Sequence, residues 1–322
     1  MRNVLFLLSI PALLITASCN RQNCCDQVVC ETYVHPYGLE MSGGEWCRQG
    51  SSGDVIVTNK DGVTVKSAYE KGVVEGEVTY TFPFRDSIET VEIYSQGKLI
   101  KETHYFPSGV VKSEIAYPSE NEQVVRAFYD QGGRKSEEHF LGKQLQTATY
   151  YNFNDLVESK VDDFSGKRTQ RDIYGQLVSV DTIENGVLAA TTTYHPNGMP
   201  EATTPYSNGV VQGVRKTFLP GGEPYSVEEW SAGIQHGTTI IYEDGEKIAE
   251  IPYYQGKRSG VEKRFRNNDE VVEEIGWANN AKHGPTTRYV EGQVITDYFY
   301  YGTPVSKTVF DKRTALLQHQ AR

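Results

Sequence analysis

The chain has 322 residues, 38% of them apolar, and carries 42 acidic against 32 basic side chains for a formal charge of −10. No basic block or stripe runs along it, which argues against a nucleic-acid partner and against charge-driven adsorption to anionic lipid. Its length would suit two ordinary domains, but the internal repeats described below override that estimate.

Taken in chain order, the first element is an export signal. Met1-Arg2-Asn3 is a basic start, an apolar run follows from Val4 to Ile15, and small residues lead through Thr16-Ala17-Ser18 to Cys19. The apolar run is shorter than the roughly 20 residues that span a bilayer, so residues 1–18 read as a signal peptide. A cysteine directly after the small residues resembles the lipobox of bacterial lipoproteins, although Thr16 stands where that family usually has leucine. The resemblance implies a diacylglycerol on Cys19, cleavage before it and an acylated new amino terminus, hence an exported protein held on a membrane by lipid. Asn20 in place of aspartate resembles the sorting pattern for the outer membrane of a Gram-negative envelope. The rival reading is ordinary cleavage after Ser18, with Cys19 entering a disulfide.

Residues 19–53 form a cysteine-rich tether or cap. With Cys19 acylated, Cys24, Cys25, Cys30 and Cys47 remain. An even number in an oxidising compartment points to disulfides, and four cysteines allow three pairings. A Cys24–Cys25 bridge is disfavoured by backbone strain. No histidine stands at zinc-ligand spacing from these cysteines, so no metal and no cofactor are expected.

From 54 to 302 the chain repeats. Gly97, Gly109, Asn121, Gly132, Gly142, Asn154, Gly166, Gly186, Gly198, Gly209, Gly221, Gly233, Gly245, Gly256, Asn268, Asn280 and Gly292 recur every 11 or 12 residues, apart from a step of 10 between Gly132 and Gly142 and one beat near Gly175. Glycine and asparagine are the residues that tolerate positive φ. Three residues earlier, or four for Tyr194, stands an aromatic: Tyr94, Phe106, Tyr194, Tyr206, Phe218, Trp230, Tyr242, Tyr253, Phe265, Trp277 and Tyr289. The stretches between are alternating and β-branched, as in Thr238–Tyr242, and predict strands. One strand and one turn per beat give an all-β antiparallel meander of stacked hairpins, with a unit of about 24 residues and about twenty strands at normal spacing. Thr303–Arg322 is expected to cap the far end, with a short helical turn around Arg313.

A second glycine follows the turn glycine by four residues, in Gly209/Gly213, Gly233/Gly237 and Gly256/Gly260, with Gly284 after Asn280. Around it stand Trp230 to Tyr242 and Trp277 to Tyr289, each with a His-Gly pair. This pattern resembles the MORN repeat in the variant of bacterial YwqK-like proteins and lipoproteins, most closely over 206–302. The resemblance implies an elongated array of stacked hairpins and brings an antitoxin or immunity association with it.

Catalytic signals are sparse. No Gly-x-Ser-x-Gly elbow and no phosphate-binding glycine loop occur. Neighbouring acids such as Glu228-Glu229 and Glu273-Glu274 must point to opposite faces of a strand. His236 and His283 occupy equivalent repeat positions and are expected to pack or bond to turns. Glu250, Glu274 and Asp297 are expected to project from corresponding sites, with Lys216, Lys263, Arg264 and Arg288 between them in cross-strand ion pairs. Most aromatics are expected in the core, with some rings of Tyr298-Phe299-Tyr300-Tyr301 exposed. The resulting expectation is a non-enzymatic, membrane-anchored scaffold for a protein partner; the alternatives are a glycan- or cell-wall-binding lipoprotein and an antitoxin-type protein.

Overall fold

A computed structural model describes residues 28–320. Cys19, Cys24 and Cys25 lie outside the described residues. The chain is 66% strand and 6% helix, an antiparallel meander not closed into a barrel, with 27 strands among the described residues. The excess over the expected count comes partly from two-residue strands such as Val210–Val211 and Lys257–Arg258. No described helix is long and apolar enough to cross a membrane. The chain divides into two compact units, Met1–Gly142 and Lys143–Arg322.

The first unit opens with a strand taken from the cysteine-rich segment. Val28–Val34 pairs antiparallel with Gly53–Asn59 and, at Tyr33 and Val34, with Glu40–Met41. Between them the helix Gly43–Arg48 starts at Ser42, whose hydroxyl accepts from the Glu45 amide while the Glu45 carboxylate accepts from the Ser42 amide. That reciprocal cap satisfies amides the first turn leaves unpaired. The helix lays Trp46, 1% exposed, against Tyr33, Tyr69, Val55 and Val57. From Gly53 each strand pairs with the next in sequence as far as Arg134–Leu141.

The second unit continues the same way from Gln144–Tyr151 to Thr303–Val305. The tail is more helical than expected: Lys307–Gln320 is one helix of 14 residues.

Two kinds of turn alternate. At one end of the strands the turns have two central residues, both at positive φ, as at Asn185-Gly186, Asn208-Gly209, Ala232-Gly233 and Gln255-Gly256. This backbone matches the right-handed twist of the strands it joins. In most of these turns, though not at Gly209, the second residue donates its amide to a carbonyl about one hairpin earlier. Gly72 reaches Ser51 and Gly97 Val74 in the first unit; Gly186 reaches Phe164, Gly233 Val211, Gly256 Gln235, Asn280 Arg258 and Gly302 Lys282 in the second, at 2.7–3.1 Å, and Gly142, the first residue of its turn, reaches Asn121 at 2.7 Å.

At the other end many loops have three residues, with the left-handed one last. The positive φ therefore falls on Asp155 and Gly222, not on the expected Asn154 and Gly221, and Asn121 is not left-handed either.

The aromatic core is a second correction. Of the eleven repeat aromatics, Tyr94 is buried, Tyr289 is exposed and the others are half-buried. A single layer of strands has nothing stacked on the outer face of each ring. Full burial falls instead on mid-strand positions flanked on both sides, often small or polar: Ser226, Thr239, Thr286, Ala202, Ala249 and Ile275.

Gly276 is held by close approach: an added Cβ would stand 2.3 Å from the His283 carbonyl oxygen and 3.1 Å from that of Pro285. Gly276→Ala should therefore lose about 1–3 kcal/mol of unfolding free energy in urea titration, as overpacking does. Gly209→Asn should lose no more than about 1 kcal/mol, because the site is open at φ +77° and asparagine tolerates it.

Candidate interaction surface and its buried carboxylates

The repeat glycines Gly213, Gly237, Gly260 and Gly284 are all at positive φ. Each is the cross-strand partner of an aromatic: Gly213 of Trp230, Gly237 of Tyr253, Gly260 of Trp277 and Gly284 of Phe299. Gly53 faces Tyr69 and Gly76 faces Tyr94 in the same way. A residue without a side chain leaves room for a ring opposite it, and cross-strand pairs of this kind stabilise a sheet. The turn glycines Gly209, Gly233 and Gly256 hold the two-residue turns, and Gly233 and Gly256 approach Val210 and Ile234 of the preceding turn. Phe299 belongs to the aromatic row although its turn, at Gly302, lies beyond the regular glycine series.

Carboxylates lie among these rings. In the first unit Glu92 stands directly opposite Glu102 on the neighbouring strand. Tyr80 and Tyr94 donate their hydroxyls to Glu92 at 2.9 and 3.0 Å, and Tyr117 donates to Glu102. His104 Nε2 is 3.4 Å from the other Glu102 oxygen, and its Nδ1 is 3.0 Å from the Thr90 hydroxyl. Burial raises the Glu92 carboxyl above the usual carboxylate range, against the opposing hydrogen bonds from the two tyrosines. The hydrogen bond to His104 and then that from Tyr117 hold Glu102 below it, although burial pushes the other way. Burial, followed by the adjacent carboxylates, raises the hydroxyls of Tyr80, Tyr94 and Tyr117.

In the second unit the corresponding acids meet arginine. Asp181, 2% exposed, accepts from Arg168 Nε at 2.8 Å, Gln170 at 2.7 Å and Thr191 at 2.8 Å. Glu228 accepts from Arg215, Ser226 and the Trp230 indole. Glu262, also 2% exposed, accepts from Arg264 and the Trp277 indole, whose ring is covered by the Arg258 guanidinium at 3.9 Å. These acids were missed in sequence. A carboxylate two residues before a repeat aromatic, as in Glu92/Tyr94 and Glu228/Trp230, shares the ring's face on a strand, and that signal could have found two of them.

The surface acids are placed differently from expectation. Glu250 and Glu274 lie in one row with Lys263 between them. Asp297 is opposite Thr286, whereas Glu274 is opposite Thr287, so Asp297 points to the other face. The ion pairs are Lys247–Glu250 at 2.9 Å, Arg288–Asp297 at 2.8 Å, and Arg264 with both Glu262 and Glu273. Glu274 accepts from the Tyr289 hydroxyl. The exposed pair Arg288–Asp297 contributes little on its own.

His236 packs on Tyr254, and His283 on Tyr300, Tyr301 and Phe310. The Tyr301 amide also donates to His283 Nδ1, and burial lowers the His283 pKa. Cys30 in the first strand and Cys47 in the capping helix are both exposed. No group of three metal-ligating side chains occurs among the described residues. Tyr37, Phe84, Tyr174 and Tyr301 are exposed on separate turns, and Tyr225, Tyr254 and Tyr289 on separate strands.

No protein-family model and no curated protein matches the chain. Among solved structures, a crystal structure of TarM and one of an S. aureus TarM mutant in complex with fondaparinux, alpha-GlcNAc-glycerol and UDP are similar at 15% and 16% identity, each with a TM-score of 0.16. The matched region covers 42% of this chain and 21% of theirs, and a likeness that distant carries no argument.

A raised folded-state pKa at Glu92 means a contribution fully present below the unfolded carboxylate pKa and lost as pH rises through the folded one. Glu102, depressed, contributes above its unfolded pKa and loses that as pH falls through the folded value. Glu92→Gln should therefore stabilise the first unit at pH 7 relative to the native chain, and the gain should shrink as pH is lowered into the carboxylate range. Thermal melts across that range read both effects.

Proposed function

We propose that this chain is an exported, lipid-anchored repeat protein whose stacked hairpins present a β surface to a protein partner, without catalysis. The observation that carries this reading is the single-layer build of the second unit, which buries one face at positions such as Glu262 and Ile275 and leaves side chains of the other open to solvent. On one face Val214 and Val261 are 46% and 52% exposed. They share that face with Lys216, Lys263, Glu250 and Glu274, which the strand registers bring into line. Apolar side chains interleaved with both signs of charge suit a protein surface of matching charge pattern.

The pairing of Tyr94, Trp230, Tyr253 and Trp277 with glycines across the strand fits a MORN-type hairpin array, and membership of the YwqK-like group is part of the proposal. The antitoxin association rests on that membership alone. Lipid anchoring rests on the Cys19 motif. Two or more acyl chains, at about 0.8 kcal/mol per buried methylene, would hold the protein stably on a membrane.

Intact mass and membrane fractionation of the native chain beside Cys19→Ala test the anchor. Acyl mass on Cys19, with release of the variant alone, is the expected result; a soluble native chain retaining Met1 would overturn export. For the surface, a photo-crosslinker placed at Val261 should capture a protein in native cells. Capture should fall at least several-fold in Lys263→Glu, and an unchanged yield would remove this face from the proposal.

A further inference from the structure

The last hairpin leaves a gap in the pairing pattern. Strand Gln293–Tyr300 is paired on its inner side along its length, from Gln293 opposite Val290 to Phe299 opposite Gly284. On its outer side Thr303–Val305 covers only Tyr298, Phe299 and Tyr300. Two earlier repeats show what is missing. Pro200–Ser207 pairs first with the short Val210–Val211 and then, at Ala202 and Thr203, with Gly213–Phe218. Glu246–Tyr254 pairs first with Lys257–Arg258 and then, at Ala249 and Glu250, with Gly260–Arg266. Counting back from the turns, Ile295 and Thr296 are the equivalents of Ala202 and Thr203, and of Ala249 and Glu250. Among the described residues no partner strand follows, because the chain turns at Ser306 into the helix Lys307–Gln320, with the Phe310 amide bonded to the Ser306 carbonyl.

The outer backbone of Gln293–Asp297 thus meets no strand among the described residues. Val294 and Ile295 are 65% and 43% exposed. An open edge is a template for another strand, and the usual guards are charged side chains, above all lysine, proline, a bulge or a covering helix. The sequence Gln293-Val294-Ile295-Thr296-Asp297 has no lysine or proline and a single charge, at Asp297; its pairing with Ala281–Val290 runs without a register shift, and the helix Lys307–Gln320 leaves all five residues exposed.

We infer that this edge pairs with the same edge of a second copy, antiparallel about a two-fold axis at Ile295. That register sets Ile295 against Ile295 of the other copy, Val294 against Thr296, and Gln293 against Asp297. β-Branched residues meet β-branched residues, an amide meets a carboxylate, and no like charges are opposed. It also continues an existing row, in which Arg264, Glu273, Arg288 and Ile295 succeed one another across the strands. The contact is isologous and closes at two copies. Five residues a side make a contact smaller than standard interfaces, so the dimer is weak and concentration-dependent.

Sedimentation of the full chain from about 5 to about 500 µM should show the mass rising from one chain toward two, as mass action requires. Ile295→Lys, which opposes two cations on the axis, should remain monomeric with an unchanged circular dichroism spectrum, since the site is exposed. Ile295→Cys should form a disulfide dimer under mild oxidation, with mass spectrometry showing the residue-295 peptide linked to itself. Val261→Cys, exposed on a mid-sheet strand, is the control. A chain monomeric throughout, with Ile295→Cys linking no faster than the control, would overturn the proposal. So would a dimer that persists in Ile295→Lys, because the contact would then lie elsewhere.

Discussion

The structure depends on satisfying backbone hydrogen bonds at the hairpin ends as well as within the strands. A lone hairpin is marginal in water because it buries little and leaves its margins open. Here the second residue of many two-residue turns donates its amide to a carbonyl about one hairpin back, as Gly233 does to Val211 and Gly256 to Gln235. Each such bond contributes of order 1 kcal/mol net. Their larger effect is to fix the step from one hairpin to the next, which a sheet without a second layer cannot take from packing. Glycine and asparagine recur at these sites because the donating amide belongs to a left-handed residue.

That step places aromatics and glycines across from one another, and the carboxylates follow. Once Trp230 and Trp277 lie against the bulge glycines Gly213 and Gly260, their indole N–H groups need acceptors, and Glu228 and Glu262 supply them. A half-buried carboxylate is tolerable when several donors converge on it. In the second unit those donors include arginine. In the first, Glu92 and Glu102 face one another with tyrosines and a single histidine for company, and the two carboxyls respond by shifting apart: Glu92 up through burial, Glu102 down through its hydrogen bonds. The polar interior is thus a consequence of a sheet built from rings with polar tips.

The same economy shapes the surfaces. Strands paired with sequence neighbours need no long crossovers, so stability should be largely local along each unit. The first unit protects its leading strand with a short strand and a helix carrying Trp46. The second ends differently: a helix packs its Phe310 against His283 and Tyr300 while part of the last strand's edge stays bare.

Sequence alone determined the all-β meander, the position of most turns and the opposite facing of adjacent acids, because these depend on φ preference and on the two-residue period of a strand. It also made the functional readings available, since the Cys19 motif is linear. Tertiary structure decided which residues are buried: flanking strands cover Ser226 and Glu262, while one layer leaves Trp230 and Tyr253 half open. It decided that Asp297 leaves the row of Glu250 and Glu274, because Phe299 and not Tyr300 takes the ring position opposite a glycine, which sets Asp297 one residue further along its strand. It likewise decided the meeting of Glu92 with Glu102 and the bare edge at Ile295. Both depend on which residue lies opposite which, a relation no local pattern encodes.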